Sequence, residues 1–369
     1  MKILHIDTIA TWGGGQNQIR ILAEELKASG IKSYIATPDG SELGRRLSPE
    51  FDVITLPMQN EVDIFSALKI ALLCRKEKIG IIHAHTGKAH GIGLISKSFL
   101  PGIDFIVHRR VNFPLSRNPF TRYKYLSKKV DKYIAVSSII ARQLSEFGVD
   151  SGRISVIKSA VDSSPYSGAA KAESRKYLSK TYGFSETGVI IGAAGRLSRE
   201  KGFDTLISAL QHIRENRNWV CLIAGDGPMH RPLKELLFEK GLEDRVILTG
   251  FIRDLFSFYS GIDIFAIPSL SEGLGTSAIE ASVAGCCIVA SDVGGLPEVI
   301  DHEKSGILIA PGDPSALSMS LNLLIGNAQL RERYGREAFN KARDEFSVSK
   351  LAKDTIEVYL SLKGHRSSS

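Results

Sequence analysis

Two glutamates with a fixed spacing are the clearest candidates for chemistry in this chain. Glu272 and Glu280 have seven residues between them, and Gly273 and Gly275 are among those seven. Because a carboxylate repels a phosphate, we expect each glutamate to accept hydrogen bonds from hydroxyl groups of a ligand. The alternative is that both are solvated surface acids, which is the commoner state of a single glutamate.

The elements around the glutamates predict how they are positioned. Ile262 to Ile267 is an apolar run that predicts a buried strand, and Ser277 to Ala284 predicts a helix that Gly285 ends. A strand, a glycine turn and a helix start direct backbone N–H groups and the positive end of a helix dipole toward an anion. A ligand with phosphates between two hydroxyl-rich ends is a nucleotide sugar.

A pair of cations supports the same ligand class. Arg196 and Lys201 follow the predicted strand Val189 to Ala194 within G-R-L-S-R-E-K-G. Two cations around a turn between glycines suit a diphosphate whose negative charge grows as it leaves. The alternative is a surface ion pair between Lys201 and Glu200.

These two patterns resemble those of the family 4 retaining glycosyltransferases of the GT-B fold, and the resemblance extends over nearly the whole chain. It implies an α/β protein with two Rossmann-like domains that face each other across a cleft. Residues 1–165 would bind the acceptor and residues 166–346 the nucleotide sugar, joined by a hinge at Ser159 to Lys171. Residues 347–369 would form a helix that returns to the first domain, followed by a disordered tail.

The resemblance also implies roles for individual residues. Glu280 would hold the ribose hydroxyls, Glu272 would lie near the transferred sugar, and Arg196 and Lys201 would bind the diphosphate. The other donor-binding candidates lie in turns that follow predicted strands, and they are Gly273, Leu274, Gly275, Thr276, Ser277, Gly225, Phe251, Ile252, Gly14 and Gly15.

The glycine-rich stretch near the N-terminus does not indicate a dinucleotide site. Gly13, Gly14 and Gly15 are predicted to form a loop between a first strand and a helix from Gln18 to Lys27. Three consecutive glycines do not form the G-x-G-x-x-G pattern that is typical of dinucleotide-binding Rossmann folds. By resemblance, the loop lies at the cleft and approaches the donor diphosphate or the acceptor.

Polar residues follow further strands predicted in the first half. His85 follows Ile79 to Ala84, and His108, Arg109 and Arg110 follow Phe105 to Val107. The two arginines should lower the pKa of His108, so that a neutral ring hydrogen-bonds a sugar hydroxyl, and the resemblance implies that this is the transferred sugar. Arg109 and Arg110 would bind an anionic acceptor together with His85.

We expect no metal cofactor. The chain contains no D-x-D motif, so the cations and the helix start at Gly275 to Ser277 would replace a metal at the diphosphate. His83, His85 and His90 have loose metal-ligand spacing, but no carboxylate or cysteine completes a set, and we interpret them as lining the cleft or structural.

Composition and charge narrow the class of protein. The 369 residues are 43% hydrophobic and 24% charged, which is typical of a soluble globular protein. Four cysteines without paired spacing, and an N-terminus unlike a signal peptide, favour a cytoplasmic location. Residues 1–165 contain 23 Lys+Arg against 15 Asp+Glu. This excess is densest from Arg109 to Lys132, where eight basic residues alternate with aromatic residues.

The basic segment suits an anionic membrane surface or a phosphorylated acceptor. A solvated helix face is the alternative, and nucleic acid is disfavoured because no nucleic-acid motif accompanies the charge. The runs H-A-H-T-G-K-A-H and H-R-R-V-N-F-P resemble bacterial enzymes that build lipopolysaccharide or other envelope glycans.

The resulting hypothesis is a retaining, metal-independent glycosyltransferase that uses a nucleoside-diphosphate sugar, preferably a UDP-sugar. Its acceptor would be an envelope glycan or glycolipid such as lipopolysaccharide core, at the inner face of the cytoplasmic membrane. The alternatives are a sugar-nucleotide epimerase or hydrolase, and a non-catalytic nucleotide-sugar-binding protein.

Overall fold

The computed structural model describes residues 1–166, 171–214 and 217–364. The chain divides into two compact units, each with its own parallel sheet covered by helices on both faces. The first unit comprises Met1–Ala160 with Val348–Ser369, and the second comprises Val161–Ser347. Residues 167–170 of the predicted hinge and residues 365–369 of the predicted tail lie outside the described residues.

The sheet of the first unit has seven strands in the described part of the chain, in the order β3-β2-β1-β4-β5-β6-β7, and every pair is parallel. The central strands are short runs rich in isoleucine and valine, as expected for strands that are buried on both faces. The strands are β1 (Lys2–Ile6), β2 (Lys32–Pro38), β3 (Asp52–Leu56), β4 (Ile81–Ala84), β5 (Asp104–Arg109), β6 (Lys132–Ala135) and β7 (Ile154–Val156).

The helices of the first unit include one from the far end of the chain. That helix, α15 (Val348–Gly364), packs on α1, and its Leu351, Val358 and Tyr359 share a core with Ile81 of the sheet. The other helices are α1 (Gly14–Ala28), α2 (Glu42–Leu47), α3 (Ile64–Glu77), α4 (Gly87–Ser98), α5 (Pro119–Leu126) and α6 (Ser138–Phe147), with a 3₁₀ turn at Ser151–Arg153.

The second unit contains a six-stranded parallel sheet, counted over its described residues, in the order β10-β9-β8-β11-β12-β13. Its core joins the buried faces of these strands to the surrounding helices. The strands are β8 (Val189–Ala194), β9 (Trp219–Ala224), β10 (Val246–Gly250), β11 (Ile264–Ile267), β12 (Cys287–Ser291) and β13 (Gly306–Ile309).

Among the described residues of the second unit, five helices lie between these strands in the chain, as in a succession of βαβ units, while one precedes the first strand and two follow the last. The helices are α7 (Lys171–Tyr182), α8 (Phe203–Leu210), α9 (His230–Lys240), α10 (Leu255–Gly261), α11 (Thr276–Val283), α12 (Leu296–Val299), α13 (Pro314–Ile325) and α14 (Ala328–Glu345), with 3₁₀ turns at Ser164–Tyr166 and Arg199–Lys201.

Each sheet has a point where the strand order reverses direction. In the first unit this point lies between β1 and β4, and in the second between β8 and β11. Loops that leave two neighbouring strands in opposite directions open a crevice at the carboxyl ends of those strands, where α/β proteins bind ligands. The fold therefore marks one candidate crevice in each unit.

Among the predicted element boundaries that differ from the structure, two change the position of candidate site residues. Gly14 and Gly15 form the first turn of α1, because Gly13 adopts an extended conformation and serves as the N-cap. His108 and Arg109 lie within β5, because β6 continues the ladder beside them and pairs Arg109 with Ala135.

Candidate functional site

The reversal point of the second unit brings Lys201 and Glu272 together. Lys201 ends the 3₁₀ turn that follows β8, and Glu272 lies in the loop that follows β11. The Nζ atom of Lys201 is 2.5 Å from Oε1 of Glu272, and the hydroxyl of Ser269 donates to the same oxygen at 2.9 Å. Lys201 therefore pairs with Glu272 rather than with Glu200.

Glycines allow the loops at this edge to approach each other closely. Gly202 has a φ of +64°, and a Cβ at this position would lie 2.0 Å from the carbonyl oxygen of Pro268. Gly225 has a φ of +140°, and its Cβ would lie 1.8 Å from the carbonyl oxygen of Gly195. No side chain fits either position, so both glycines are required by the packing of the crevice.

The turn after Glu272 leads directly into α11. Gly275 is the N-cap with a φ of +89°, and Leu274 before it is buried. Thr276 and Ser277 begin the helix. The first N–H groups of a helix have no partner within that helix, and Gly275 has no side chain with which to cap them. This segment can therefore present backbone donors and a positive dipole end to an anion.

Glu280 lies one turn into α11 and has a specific partner. The hydroxyl of Tyr259, in α10, donates to Oε2 of Glu280 at 2.9 Å. Loss of hydration raises the pKa of the Glu280 carboxyl to about 7, and the hydrogen bond from Tyr259 opposes this rise. Sequence reasoning missed Tyr259, because no local pattern links residues 259 and 280.

The remaining candidates of the second unit lie in loops at the same edge. Arg196 is exposed after β8, and Gly225 follows β9. Phe251 and Ile252 follow β10, and the Phe251 side chain is 65% exposed. An exposed aromatic ring at this position offers an apolar face on which a flat ligand group can stack.

At the reversal point of the first unit, four buried histidines form a cluster of their own. His5 of β1 pairs in register with His83 of β4, and His85 and His108 lie beside them. The ring centroids of His83 and His85 are 4.1 Å apart, and those of His83 and His108 are 5.4 Å apart. Nδ1 of His83 is 2.7 Å from the hydroxyl of Tyr359 in α15.

Burial is the main cause that lowers the pKa of each of these histidines. The positive charge of Arg110 lowers the pKa of all four further. The expected direction for His108 is therefore found, although the arginine contributes less than burial. Nη2 of Arg110 lies 3.1 Å from Nδ1 of His108. Because an arginine N–H can only donate, the neutral His108 ring carries its proton on Nε2.

The two neighbouring arginines differ in their partners. Arg109 is buried and donates to the Tyr125 hydroxyl at 2.9 Å and to the carbonyl oxygen of Phe113. Arg110 keeps two buried nitrogens, Nε and Nη1, without a partner among the described residues, whereas Arg109 keeps one, Nε. Unsatisfied buried donors on a cation favour an anionic ligand. Arg110 is thus better placed than Arg109 for the predicted contact with the acceptor.

The first unit also contains two residues that sequence reasoning missed, His5 and Asp7. His5, His83 and His85 have ring nitrogens that all lie within 4.8 Å of one another, so the three could hold a metal ion. The positive charge of Arg110 acts against a cation there. Asp7 is buried two residues after His5, and loss of hydration raises its pKa to about 6. The alternation H-I-D at the end of β1 and just after it, together with H-A-H at the end of β4 and just after it, could have indicated this shared face.

Gly14 and Gly15 follow β1 at the same reversal point. They belong to α1, whose Gln16 side chain donates to both carboxylate oxygens of Asp7, at 3.3 and 3.2 Å. The start of α1 is therefore hydrogen-bonded to the buried carboxyl group that directly follows β1.

Two family models match the chain, one in each half. The model described as Glycosyltransferase Family 4 matches residues 12–164, and the model described as Glycosyl transferases group 1 matches residues 174–341. The second match contains Arg196, Lys201, Glu272 and Glu280.

Curated relatives extend over most of the chain. An uncharacterized glycosyltransferase of Methanocaldococcus jannaschii is 27% identical, with 77% of this chain and 75% of the relative covered. The capsular polysaccharide biosynthesis glycosyltransferase CapM of Staphylococcus aureus is 24% identical over 97% of this chain and 96% of its own length.

Among solved structures, Anabaena HepE in complex with UDP-glucose superposes with a TM-score of 0.86. The two chains are 22% identical, and the superposition covers 98% of this chain and 100% of the other.

Proposed function

We propose that this chain transfers a sugar from a UDP-sugar to an envelope glycan or glycolipid, with retention at the anomeric carbon. The chain belongs to the GT-B glycosyltransferases of the family 4 and group 1 type. One observation supports the binding of a nucleotide-sugar donor. Lys201, Glu272 and the start of α11 lie at the same reversal point of the second sheet. This edge offers cations and backbone donors to phosphates, and carboxylates to hydroxyls.

In the proposed donor complex, Glu280 accepts hydrogen bonds from the ribose hydroxyls, and Phe251 covers the base. Arg196, Lys201 and the N–H groups at the start of α11 bind the diphosphate. Lys201 has three N–H donors, so it can bind a phosphate oxygen while it keeps its contact with Glu272. The UDP moiety is favoured because HepE is described in complex with UDP-glucose.

Catalysis then consists of orientation and stabilisation of the leaving group. The acceptor hydroxyl attacks the anomeric carbon on the face that the diphosphate leaves, so that the configuration is retained. Arg196 and Lys201 stabilise the charge that develops on the diphosphate, and Glu272 orients the transferred sugar. No step uses a metal ion, in keeping with the cations available at this edge.

The acceptor is assigned to the first unit. Nε2–H of His108 donates to a sugar hydroxyl, and Arg110 binds an anionic group of the acceptor, with His85 beside them. Two observations support an envelope acceptor. CapM is described as a capsular polysaccharide biosynthesis enzyme, and the basic segment from Arg109 to Lys132 suits anionic lipid at the inner face of the cytoplasmic membrane.

The experiment that tests the donor half is thermal stabilisation by UDP, GDP and ADP, each with and without EDTA. We expect one nucleotide to stabilise the wild type, with no effect of EDTA, and to fail with Glu280→Gln. The matched control is Glu239→Gln, because that side chain is 71% exposed and lies in α9. No response to any nucleotide would refute the proposed donor site.

A second measurement separates transfer from the alternatives. Incubation with the stabilising donor should yield little free sugar or isomerised donor in the absence of an acceptor. Rapid formation of either product without an acceptor would favour a hydrolase or an epimerase. Donor binding with no turnover on any envelope-glycan acceptor would favour the non-catalytic binding protein.

A further inference from the structure

Helix α3 of the first unit exposes a row of large apolar side chains. Ile64, Phe65, Leu68 and Leu72 are between 42% and 62% exposed. Their spacing places Ile64, Leu68 and Leu72 in one row along the helix, with Phe65 beside it. We call these four residues the α3 apolar face. Contiguous exposed apolar patches are uncommon on proteins that do not use them for contact.

The opposite side of α3 is also apolar. Ala67, Ile70, Ala71 and Cys74 are buried within the first unit. A helix that is apolar on both sides is normally covered on both sides. Here the described residues cover only one. The side chain of Asp63 caps the helix by accepting a hydrogen bond from Ser66 N at 3.0 Å, so the exposed row belongs to a well-formed helix.

The exposed charges on α3 are positive, whereas the acids at its two ends, Glu61, Asp63 and Glu77, each have a partner. Lys69, Arg75 and Lys76 are exposed on α3, and the Nζ atom of Lys69 lies 4.7 Å from the centre of the Phe65 ring. Glu77 is the one acid within the helix, and its carboxylate accepts a hydrogen bond from Tyr34 at 2.9 Å. The face therefore combines apolar side chains with a basic border.

The same character continues onto α5. Lys124 of α5 pairs with Glu61, just before α3, with 2.6 Å between Nζ and Oε2. Phe120 and Tyr123 of α5 are exposed, as are Arg117 and Arg122. The Lys124–Glu61 pair thus places α5, part of the basic, aromatic segment predicted from the sequence, next to the N-terminal end of α3.

We propose that the α3 apolar face docks on an anionic lipid bilayer, with α3 lying in the plane of the interface. Apolar side chains would enter the region between headgroups and acyl chains, while the lysines and arginines contact anionic headgroups. No helix of the described residues is long and apolar enough to cross a membrane, so α3 would lie on the bilayer rather than span it.

The basic border of the α3 apolar face favours an anionic bilayer over a second copy of the chain as the partner of this face. A symmetric dimer through this face would bring two basic borders together, and like charges oppose such contact. An anionic leaflet attracts the same residues. This inference deepens the membrane location proposed above but does not depend on the transfer reaction, so vesicle binding and nucleotide binding can fail separately.

The test is co-sedimentation of the full chain with vesicles of equal parts phosphatidylglycerol and phosphatidylcholine, compared with phosphatidylcholine alone. We expect binding to the anionic vesicles that weakens with salt, and a loss of about tenfold or more when Phe65→Ser is combined with Leu72→Ser. The matched control is Phe238→Ser, because Phe238 is a 73% exposed aromatic residue on α9 of the second unit.

A fluorescence reporter keeps the test decisive if the double variant folds poorly. The Phe65→Trp variant should show a blue-shifted emission with anionic vesicles, while Phe238→Trp should not change. Absence of vesicle binding by the wild type at low salt would overturn the proposal. So would a wild-type dimer in sedimentation velocity that Phe65→Ser with Leu72→Ser converts to monomer.

Discussion

The hydroxyl of Tyr259 donates to Oε2 of Glu280 across 2.9 Å, from a side chain that is itself fully buried. This contact stabilises the ionised form of a carboxyl whose surroundings favour the protonated form. A carboxylate accepts hydrogen bonds from two hydroxyls, whereas the protonated group must donate one of its own. Tyr259 therefore helps to keep Glu280 in the state that the proposed ribose contact requires.

This relationship predicts a pH dependence of donor binding. Because the pKa of Glu280 is about 7, we expect the affinity for UDP-glucose to rise between pH 6 and pH 8. Tyr259→Phe removes only the hydroxyl and should move the midpoint of this rise to higher pH. Isothermal titration with UDP-glucose checks this, because its diphosphate does not titrate in the range. A profile that is flat for the wild type, or unchanged in Tyr259→Phe, would contradict the prediction.

The ion pair at the reversal point predicts a loss of rate that exceeds the loss of stability. Lys201→Ala and Glu272→Ala should each lower kcat by about 100-fold or more, because in the proposed complex both groups act on the transferred sugar or the leaving group. Lys201 is partly exposed and Ser269 still contacts Glu272, so Lys201→Ala should cost only about 1 kcal/mol of unfolding free energy. Initial rates and urea unfolding measure the two effects. Parallel losses of activity and stability in both variants would count against catalytic roles.

Arg109, the last residue of β5, and Arg110, which follows it, should respond differently to the same substitution. Arg110→Gln removes a cation with unsatisfied buried donors and should raise the KM for the acceptor, with little change in Tm. Arg109→Gln removes the contacts with Tyr125 and Phe113 and should lower Tm. Acceptor kinetics and thermal unfolding of both variants make the comparison. The reverse pattern would assign the acceptor contact to Arg109.

Because of the histidine cluster, we expect a decrease in pH to lower the stability of the first unit more than that of the second. The histidines have a lowered pKa in the folded chain, so below their ordinary value of 6.5 the unfolded state binds more protons. Stability should then fall with decreasing pH by up to about 1.4 kcal/mol per pH unit for each histidine. The raised pKa of Asp7 acts in the opposite direction below about pH 6 and offsets the loss of stability that one histidine causes.

Hydrogen exchange at pH 7.5, 6.5 and 5.5, corrected for intrinsic rates, measures this effect. Protection of β1 and β4 should fall with pH, while β8 in the second unit serves as the internal control. His85→Gln should reduce the slope for β1 and β4. Equal loss of protection in β1 and β8 would show that the cluster is not the cause.

The fold was largely predictable from the sequence, and the predicted GT-B architecture is confirmed by its match to a solved glycosyltransferase structure. Short apolar runs between helical patterns identified the strands of both sheets. The predicted placement of Glu272 and Glu280 agrees with the structure, because both residues belong to one local segment. Glu272 lies in the loop that follows β11, and Glu280 lies in the helix α11 that follows this loop. Local patterns of this kind are readable without knowledge of distant contacts.

Contacts between distant parts of the chain could not be read in this way. The bond from Tyr259 to Glu280 depends on the packing of α10 on α11, and the contact between His5 and His85 depends on which strands are neighbours. The different contacts of Arg109 and Arg110 could not be predicted, because β5 proved longer than expected and ends at Arg109, whereas Arg110 follows the strand. Strand order and register supply this information, and neither is written in a local motif.

The return of α15 to the first unit has a consequence for the order in which the protein forms. The ribosome releases residues 1–160 long before it reaches Val348, so the surface formed by Ile3, Ile81 and Ile106 stays uncovered by Leu351, Val358 and Tyr359 during synthesis. His83 likewise lacks its tyrosine partner until the last helix emerges. The second unit is continuous and needs no such delay, so the half of the protein that is made first is the half that is completed last.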